Sequence, residues 1–515
     1  MKALGTVALA PVTLTGETLT PAEVSRVAAG APVRLGDEAR AAMKANRAEW
    51  EFSGHMDVLA HKVAWLVGPG AREASEADRL AAFVVGHCAG VGPPLSVPYV
   101  RAMMLCRANA IACGLSGCRP IVVDTLLAML NMGVHPVVPS QGSVGAAGDL
   151  APLAHVARVA CRLGGKADVD GRIVPAAEAM ADLPRFRPTP KEALSLINGA
   201  TLSVALAGMA CHRSRKLLQV AERALAMTME VVLANPGCLS DALLKARRHP
   251  GAVLSAERVR ALLKGSTLVS DDRRPDDFSI RCAPAVLGAA WDALEYIETT
   301  VLRELNGACD NPLVLGGAVV EGGNFHGAPI GMAMDHLKIV LTQVASIAER
   351  RLYRMTYGKH NDLPSFLIES TGLNSGFMLA QYTAASLVSE CKGLSHPASV
   401  DSIPTGQHHE DHVSMAPIAA RGALQVIENL AEVLTAEVLV AAQGLEFRRD
   451  GVTLSPDGER IDGDDVALAP EVEAMRVMVR QVVPRWEDDR VLHLDQTAVA
   501  RLVRSGALIG AESPW

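Results

Sequence analysis

The stretch that decides the fold reads SQGSVGAAGDLAPLAH and runs from Ser140 to His155. It contains Gly142, Gly145 and Gly148, and glycine adopts backbone angles closed to other residues, so the chain can fold back tightly here. Asp149 then stands where a carboxylate favours the start of a helix. On spacing alone the stretch is a loop that leads into a helix. No G-x-x-x-x-G-K-[ST] pattern occurs, which argues against a phosphate-binding loop of that kind.

The composition around this stretch favours a helical protein of the cytoplasm. The 515 residues include 49 Lys and Arg against 56 Asp and Glu, and no basic block suits a nucleic acid. Hydrophobic residues make up 49% and aromatic residues only 3%, as expected of packed helices rich in Ala, Leu and Val. The ten cysteines are scattered without a C-x-x-C pair, which indicates reduced thiols. Charges interrupt every long apolar run, so we expect no membrane span.

The order of patterns along the chain predicts an all-α long-helix bundle with a smaller loop-rich N-terminal region. Residues 1–195 are expected to form an N-terminal domain that carries the 140–155 loop, residues 196–450 the central bundle, and residues 451–515 the C-terminal helices. Apolar residues recur three and four apart over five segments, the first from Pro190 to about Asn235. Because such helices are apolar on more than one side, we expect them to be buried in part between subunits.

With the loops located, the chain resembles the histidine and aromatic amino-acid ammonia-lyases over nearly its whole length. The resemblance is specific because eight motifs occur in the same order. They are GHCAGVGPPL from Gly86, GSVGAAGDLAPLAH from Gly142, LINGA from Leu196, FSIRCAP from Phe278, DNPLV from Asp310, GGNFH from Gly322, LNSGFM from Leu373, and HPASVDSIP with EDHVSMAP from His396. The resemblance implies a helical fold of the fumarase and aspartase type and a homotetramer whose active sites are each built from three subunits.

The resemblance also implies an internal electrophile, a methylidene-imidazolone (MIO) formed when an Ala-Ser-Gly tripeptide cyclises and loses water. Here the tripeptide is Ala146, Ala147 and Gly148, and alanine has no hydroxyl to lose. Residues 50–68, where the family has a catalytic tyrosine, contain none, and Phe278 stands at a second family tyrosine. We therefore expect no MIO group and interpret the chain as a repurposed member of the family.

Other positions match the family's substrate-binding residues. Arg281 matches its carboxylate clamp and Asn198 a helper residue, although each could instead be a structural tie. His87 and Glu410 match positions that recognise the substrate side chain in histidine enzymes, and Phe325 matches an apolar wall. With Phe278 as a further wall, these residues predict a site for a small carboxylate or an amino-acid-like ligand.

Histidine has been gained in two places where the family has other residues. His55 and His61 lie in the stretch that replaces the tyrosine loop, and His408 and His409 directly precede Glu410. Because the resemblance implies that both regions face the cavity, the four imidazoles could bind a transition metal. The competing interpretation is a polar loop beside a helix start, since no H-E-x-x-H motif occurs and His55 and His61 are six residues apart, off the i, i+4 face of a helix.

The sequence thus predicts an enzyme that works without MIO on an amino-acid-like or carboxylate substrate, by elimination, addition or cyclisation. Its candidate catalytic groups are Glu410, His409, His408 and His87, because imidazole and a tuned carboxylate both exchange protons near neutral pH. Two alternatives stay open. The chain could be a catalytically dead homologue that binds or scaffolds, or a histidine ammonia-lyase inactivated at Ala147.

Overall fold

The computed structural model describes residues 9–53, 74–358, 362–369, 371–450, 452–454, 460–462 and 466–510. Most of this part of the chain is helical, which confirms the all-α expectation. Its α-helices are α1 Pro21–Ala28, α2 Asp37–Phe52, α3 Glu76–Gly86, α4 Val97–Ala112, α5 Pro120–Asn131, α6 Leu150–Ala160, α7 Ala176–Ala179, α8 Pro190–Ile197, α9 Thr201–Val231, α10 Asp241–Arg247, α11 Pro250–Leu262, α12 Phe278–Arg281, α13 Ala283–Leu305, α14 Ala328–Thr356, α15 Met378–Leu394, α16 Ala416–Arg449, α17 Pro470–Val482 and α18 Leu492–Ser505.

Short strands pair locally and form no large sheet within the described residues. They are β1 Val12–Leu14, β2 Val33–Leu35, β3 Val91–Pro94, β4 His135–Pro136, β5 Pro139–Gln141, β6 Lys166–Val169, β7 Arg172–Pro175, β8 Leu313–Leu315, β9 Ala318–Val320, β10 Val452–Leu454 and β11 Arg460–Asp462. Strands β1 and β2 are parallel. The other pairings, β3 with β5, β4 with β6, β6 with β7, β8 with β9 and β10 with β11, are antiparallel.

The chain divides into two compact units, and four of the five divisions fall within the long helices α9, α13, α14 and α16. The first unit comprises residues 1–212, 297–335 and 397–421, and the second comprises residues 213–296, 336–396 and 422–515. The domain boundaries expected near residues 195 and 450 stay a prediction.

A fully buried ion pair lies inside the second unit. The Arg351 guanidinium and the Glu437 carboxylate are both fully buried, and two hydrogen bonds of 2.5 and 2.8 Å join them. The Thr228 hydroxyl also donates to Glu437, at 3.0 Å. A buried ion pair needs such additional hydrogen bonds to offset the cost of removing two charges from water.

The helix expected from Pro190 to about Asn235 is broken. Helix α8 ends at Ile197 and α9 begins at Thr201, and between them Gly199 has a φ of +123°, which only glycine adopts readily. Apolar periodicity continues through both helices, so it could not reveal the interruption. At the start of α1, Thr20 and Glu23 form a capping box. No described helix is long and apolar enough to cross a membrane.

Candidate functional site

The 140–155 loop is fastened to the break between α8 and α9. The Ala147 carbonyl accepts hydrogen bonds from the Gly199 amide at 3.1 Å and from the Asn198 side-chain amide, also at 3.1 Å. Gly148 has a φ of +80°, and a Cβ at this position would lie 2.1 Å from the Gly199 carbonyl carbon. The two backbones therefore touch, and only glycine allows so close an approach.

Behind this contact lies Arg107 of α4, a buried guanidinium that donates to the Asn198 carbonyl oxygen. Its Nε and Nη2 atoms have no hydrogen-bond partner among the described residues. The Asn198 side-chain oxygen is likewise buried without a partner in the described part of the chain. Arg107 thus holds the backbone of Asn198, and Asn198 in turn holds Ala147.

Asp149 occupies the N-cap position of α6, as the sequence predicts, but its side chain makes no hydrogen bond to that helix. Instead the buried carboxylate accepts from the Ser203 amide at 2.8 Å and the Ser203 hydroxyl at 3.1 Å, in the first turn of α9. Burial raises the pKa of Asp149 to about 6, although the hydrogen bonds from Ser203 act in the opposite direction. The carboxylate therefore ties the loop to a second helix.

The other side of the loop contacts the segment that leads into α16. The Ser414 hydroxyl donates to the Gly145 carbonyl at 3.0 Å, and the Met415 amide donates to the Val144 carbonyl at 2.9 Å. Ala146 packs against Met415 in a small buried cluster. Gly327, at the end of the GGNFHG loop, would meet Ser414 within 3.0 Å if it carried a Cβ. Three of the family strings thus converge around the loop.

Phe325 lies in that GGNFHG loop and is half-buried. Its neighbour His326 stacks on His412, with ring centroids 5.6 Å apart and planes 8° apart. The loop of Phe325 therefore packs against the chain that carries Glu410. The structure thus brings the regions of these two predicted residues together.

Glu410 closes a small turn that presents His408 and His409. Its carboxylate accepts from the Thr405 hydroxyl at 2.7 Å, and the two residues also pair through their backbones. Gln407 and His408 both have positive φ, of 55° and 67°, so the chain here is not extended. Both histidines are exposed at the tip of the turn, while Glu410 is half-buried.

His87 follows the end of α3 and is held by its own helix. Its Nδ1 lies 2.7 Å from the Phe83 carbonyl oxygen, and its ring packs on the Phe83 ring. Strand β3 begins four residues later and pairs with β5, which leads into the 140–155 loop. His87 is thus anchored beside the chain that enters the loop, although no hydrogen bond joins it to a described loop residue.

Phe278 and Arg281 begin and end the single turn α12, in the second unit. The Arg281 guanidinium lies over the Phe278 ring, 4.8 Å from its centroid, in a cation–π contact. Both side chains are exposed, with Phe278 at 68%. Phe278 lines a cavity of about 470 Å³ together with Tyr353 and Arg354 of α14, and Arg281 is not part of that lining.

The predicted metal site is only partly within the structure. His55 and His61 lie outside the described residues. Among the described residues, no group of three or more His, Cys, Asp or Glu side chains could hold a metal ion, and His408 and His409 are therefore not part of such a group there. A metal site that uses all four histidines stays a prediction.

Sequence reasoning missed Arg107 and misassigned the Asp149 side chain. A signal for Arg107 exists, since it is a charged residue within the apolar run LCRANAIAC, and a buried charge requires a partner. No signal marked Ser203 as the partner of Asp149, because residues 54 positions apart meet only through tertiary packing.

Comparison with known proteins agrees with this architecture. The family model described as aromatic amino acid lyase matches residues 19–476. A histidine ammonia-lyase of Caldanaerobacter subterraneus is 44% identical over 432 residues, which cover 82% of each chain. The histidine ammonia-lyase of Trypanosoma cruzi, a solved structure, superimposes with a TM-score of 0.85 at 35% identity over 97% of this chain and 94% of its own. The tyrosine aminomutase of Streptomyces globisporus gives a TM-score of 0.86 at 33% identity over 97% and 98%.

These relatives correct one prediction from the sequence. The sequence predicted an enzyme that works without MIO on an unidentified carboxylate. That prediction is wrong, because relatives that are 44% identical over 82% of the chain are histidine ammonia-lyases. A second one, from Gloeobacter violaceus, is equally similar over 437 residues. The residues that the family model matches include the loop, the helix break and the α16 segment. The chain belongs to the aromatic amino acid lyase family.

Proposed function

We propose that the chain has a histidine ammonia-lyase site, which binds L-histidine and is built for the release of ammonia from it. The observation that carries the proposal is the 44% identity to histidine ammonia-lyases over 82% of the chain. The tyrosine aminomutase is less similar in sequence, at 33%. His87 and Glu410 support histidine over tyrosine as substrate, because a carboxylate and an imidazole can pair with the ring nitrogens of histidine.

In this proposal the residues of the chain have separate tasks. Arg281 grips the substrate carboxylate, for which the planar guanidinium is suited. Glu410 accepts a hydrogen bond from the N–H of the substrate imidazole. The Thr405 hydroxyl, which donates to the Glu410 carboxylate at 2.7 Å, holds that carboxylate in place. Asn198 fixes the Ala147 carbonyl and leaves its own buried side-chain oxygen for a further donor. Phe325 and Phe278 contribute apolar walls.

The prosthetic group of the family does not fit the loop of this chain. Ala147 presents a methyl group, and dehydration requires a hydroxyl that leaves as water. Asn198 and Gly199 nevertheless hold the Ala147 carbonyl at 3.1 Å, so the support of the loop is complete. Phe278 also lacks the hydroxyl of the family tyrosine. Residue 147 is therefore the position at which this chain loses the electrophile of the family.

The test is to measure histidine binding and ammonia release in wild type, Ala147→Ser and Ala147→Ser/Phe278→Tyr. Wild type is expected to bind L-histidine in a calorimeter and to release no ammonia above the uncatalysed background. The serine variants are expected to gain absorbance from a newly formed imidazolone and to convert histidine about a hundredfold faster or more, which is a small part of the total enhancement by an enzyme.

Ala146→Ser is the matched control, because it adds the same hydroxyl to the neighbouring alanine. It is expected to leave turnover at the wild-type level. The proposal is wrong if wild type binds tyrosine or phenylalanine in preference to histidine. It is equally wrong if neither serine variant converts histidine although both remain folded.

A further inference from the structure

A second cavity in the first unit lies against the two arms of the 140–155 loop. Its volume is about 390 Å³, within the size range of small-molecule sites. One wall comes from the chain that precedes the loop and the other from α6, which follows it. The residues that carry the argument are Val137, Pro139, His155, Arg158, Val159 and Lys166. None of them is among the candidate residues of the histidine site.

The polar side chains that line this cavity are all basic. His155 and Arg158 are three residues apart on α6 and therefore lie on the same face of the helix. The His155 Nε2 is buried and has no hydrogen-bond partner among the described residues. No carboxylate lies within 4.0 Å of the Arg158 or Lys166 side chains in the described part of the chain. The cavity therefore concentrates positive charge without a protein anion to balance it.

The end of α6 places the Arg158 guanidinium. Its Nε donates to the Leu163 carbonyl at 3.3 Å, which fixes the side chain and leaves its two Nη groups available. Gly164 and Gly165 follow, both with a φ of +92°. A Cβ on Gly164 would lie 3.2 Å from the Arg158 Nη2. The glycine pair thus leaves space around the outer edge of the guanidinium.

The backbone holds the opposite wall against Lys166. The Val137 amide donates to the Lys166 carbonyl at 2.9 Å, and the Ala176 amide donates to the Gly165 carbonyl at 3.0 Å. Lys166 is exposed, so its ammonium group can move over the cavity.

The positive charge of Arg158 also changes the pKa values of neighbouring side chains. Burial and Arg158 together lower the pKa of His155, while the Cys88 thiol has its pKa raised by burial and lowered by Arg158.

We propose that this cavity binds a small organic anion, with its carboxylate or phosphate head on Arg158, His155 and Lys166 and its apolar body against Val137 and Val159. A guanidinium grips either head group with two hydrogen bonds, and a lysine adds a point charge. A metal cation is disfavoured because the wall presents no carboxylate. Because both walls are continuous with the 140–155 loop, a bound anion would also stabilise the loop entrance and α6.

The test uses the full chain and three probes, namely inorganic phosphate, ribose 5-phosphate and benzoate, at constant ionic strength maintained with sodium chloride. Calorimetry is expected to detect saturable binding of at least one organic probe. Arg158→Gln and Lys166→Gln are each expected to weaken that binding about tenfold or more, since each removes a charged hydrogen bond. Preference for ribose 5-phosphate would identify a phosphate ligand, and preference for benzoate a carboxylate ligand.

Arg172→Gln is the matched control, because Arg172 is exposed on β7 of the same hairpin and does not line the cavity. It is expected to retain wild-type affinity. Lys166→Gln keeps the proposal testable if Arg158→Gln fails to fold. The proposal is overturned if no probe binds above the chloride background, or if the control loses as much affinity as the cavity variants. Because histidine is absent from these experiments, the result does not depend on the proposed lyase activity.

Discussion

Asp149 places a carboxylate in the interior, where ionisation is costly. Its pKa is raised to about 6 by burial, from an ordinary value of 3.8. The sign of the effect follows from linkage, since the folded state binds the proton more tightly than the unfolded state does. The contribution to stability is therefore complete below pH 3.8 and is lost as the pH rises through about 6. Over that interval the loss amounts to about 3 kcal/mol.

The Asp149→Asn variant should remove this pH dependence. Asparagine is nearly isosteric and can still pair with the Ser203 amide and hydroxyl, but it does not ionise. We expect the free energy of unfolding of the variant, relative to wild type, to increase by about 2 kcal/mol between pH 4 and pH 7. Urea titrations at both pH values measure it. Asp182→Asn, at an exposed position, is the control, and a difference that stays constant with pH would contradict the prediction.

Gly148 tests the contact between the loop and the helix break. An alanine there would carry a Cβ 2.1 Å from the Gly199 carbonyl carbon, so one of the two backbones must move. Gly148→Ala is expected to cost more than about 3 kcal/mol of unfolding free energy. Gly171→Ala is a matched control, because Gly171 has nearly the same φ, +78°, with no atom within 4 Å.

The Gly171→Ala control measures the cost of backbone strain in the absence of a close contact. Gly171→Ala is expected to cost about 1 to 2 kcal/mol, the penalty for an alanine in the left-handed region. Chemical denaturation of both variants gives the comparison. Equal costs would show that strain alone, and not the approach of Gly199, determines the requirement at Gly148.

At the scale of elements, α11 and α13 cross with their backbones in contact. A Cβ on Gly288 of α13 would lie 2.3 Å from the Ala252 Cα, and a Cβ on Gly251 would lie 2.2 Å from the Gly288 carbonyl oxygen. The small residues thus set the separation of the two helices. Any side chain at Gly288 would have to push α11 away.

Gly288→Ala is accordingly expected to destabilise the protein by about 3 kcal/mol, because overpacking at a backbone contact cannot relax through a rotamer change. Gly393→Ala on α15 is the matched control, since that glycine is also helical but meets no atom within 4 Å. It should remain within about 1 kcal/mol of wild type, because alanine favours helices. Thermal unfolding measures the melting temperatures of the two variants. Similar melting temperatures would contradict a backbone contact between α11 and α13 at Gly288.

The sequence was sufficient to predict elements whose signals lie in neighbouring residues. It was insufficient to predict structure that depends on contacts between distant segments. The α1 start was predictable because Thr20 and Glu23 form a capping box within four residues. The break between α8 and α9 was not, since apolar periodicity passes through Asn198 and Gly199 unchanged. At the break, Asn198 donates a hydrogen bond to the Ala147 carbonyl, 51 residues away in sequence.

The candidate site divides in the same way. The family strings drew attention to Asn198 and the loop, because both are carried by contiguous residues, and the structure joins the two by a hydrogen bond. Arg107 lies outside those strings and is recognisable only once its buried guanidinium is seen beside Asn198. The roles assigned to Glu410 and Arg281 stay predictions, because they depend on a bound substrate.

At the scale of the whole molecule, the second unit exposes apolar side chains on neighbouring long helices. On α14, Ile339 and Tyr353 are fourteen residues apart, close to four helical turns, and so share a face. Tyr357 stacks on Tyr353 with a centroid distance of 6.2 Å. Helix α15 adds Leu379 and Tyr382, which are 45% and 57% exposed. Exposed apolar residues grouped in this way usually mark a protein interface.

We therefore expect the full chain to self-associate through this face, as a homotetramer, and Ile339→Glu to weaken the association. A carboxylate in a closely packed interface would be desolvated without a partner, at a cost of several kcal/mol. Light scattering at micromolar concentration should give four chains for wild type and fewer for Ile339→Glu. Ile173→Glu, on the exposed β7, is the control and should leave the mass unchanged. A monomeric wild type, or equal masses for Ile339→Glu and wild type, would contradict the assignment of this face, because a single buried charge must shift an equilibrium that depends on contacts at Ile339.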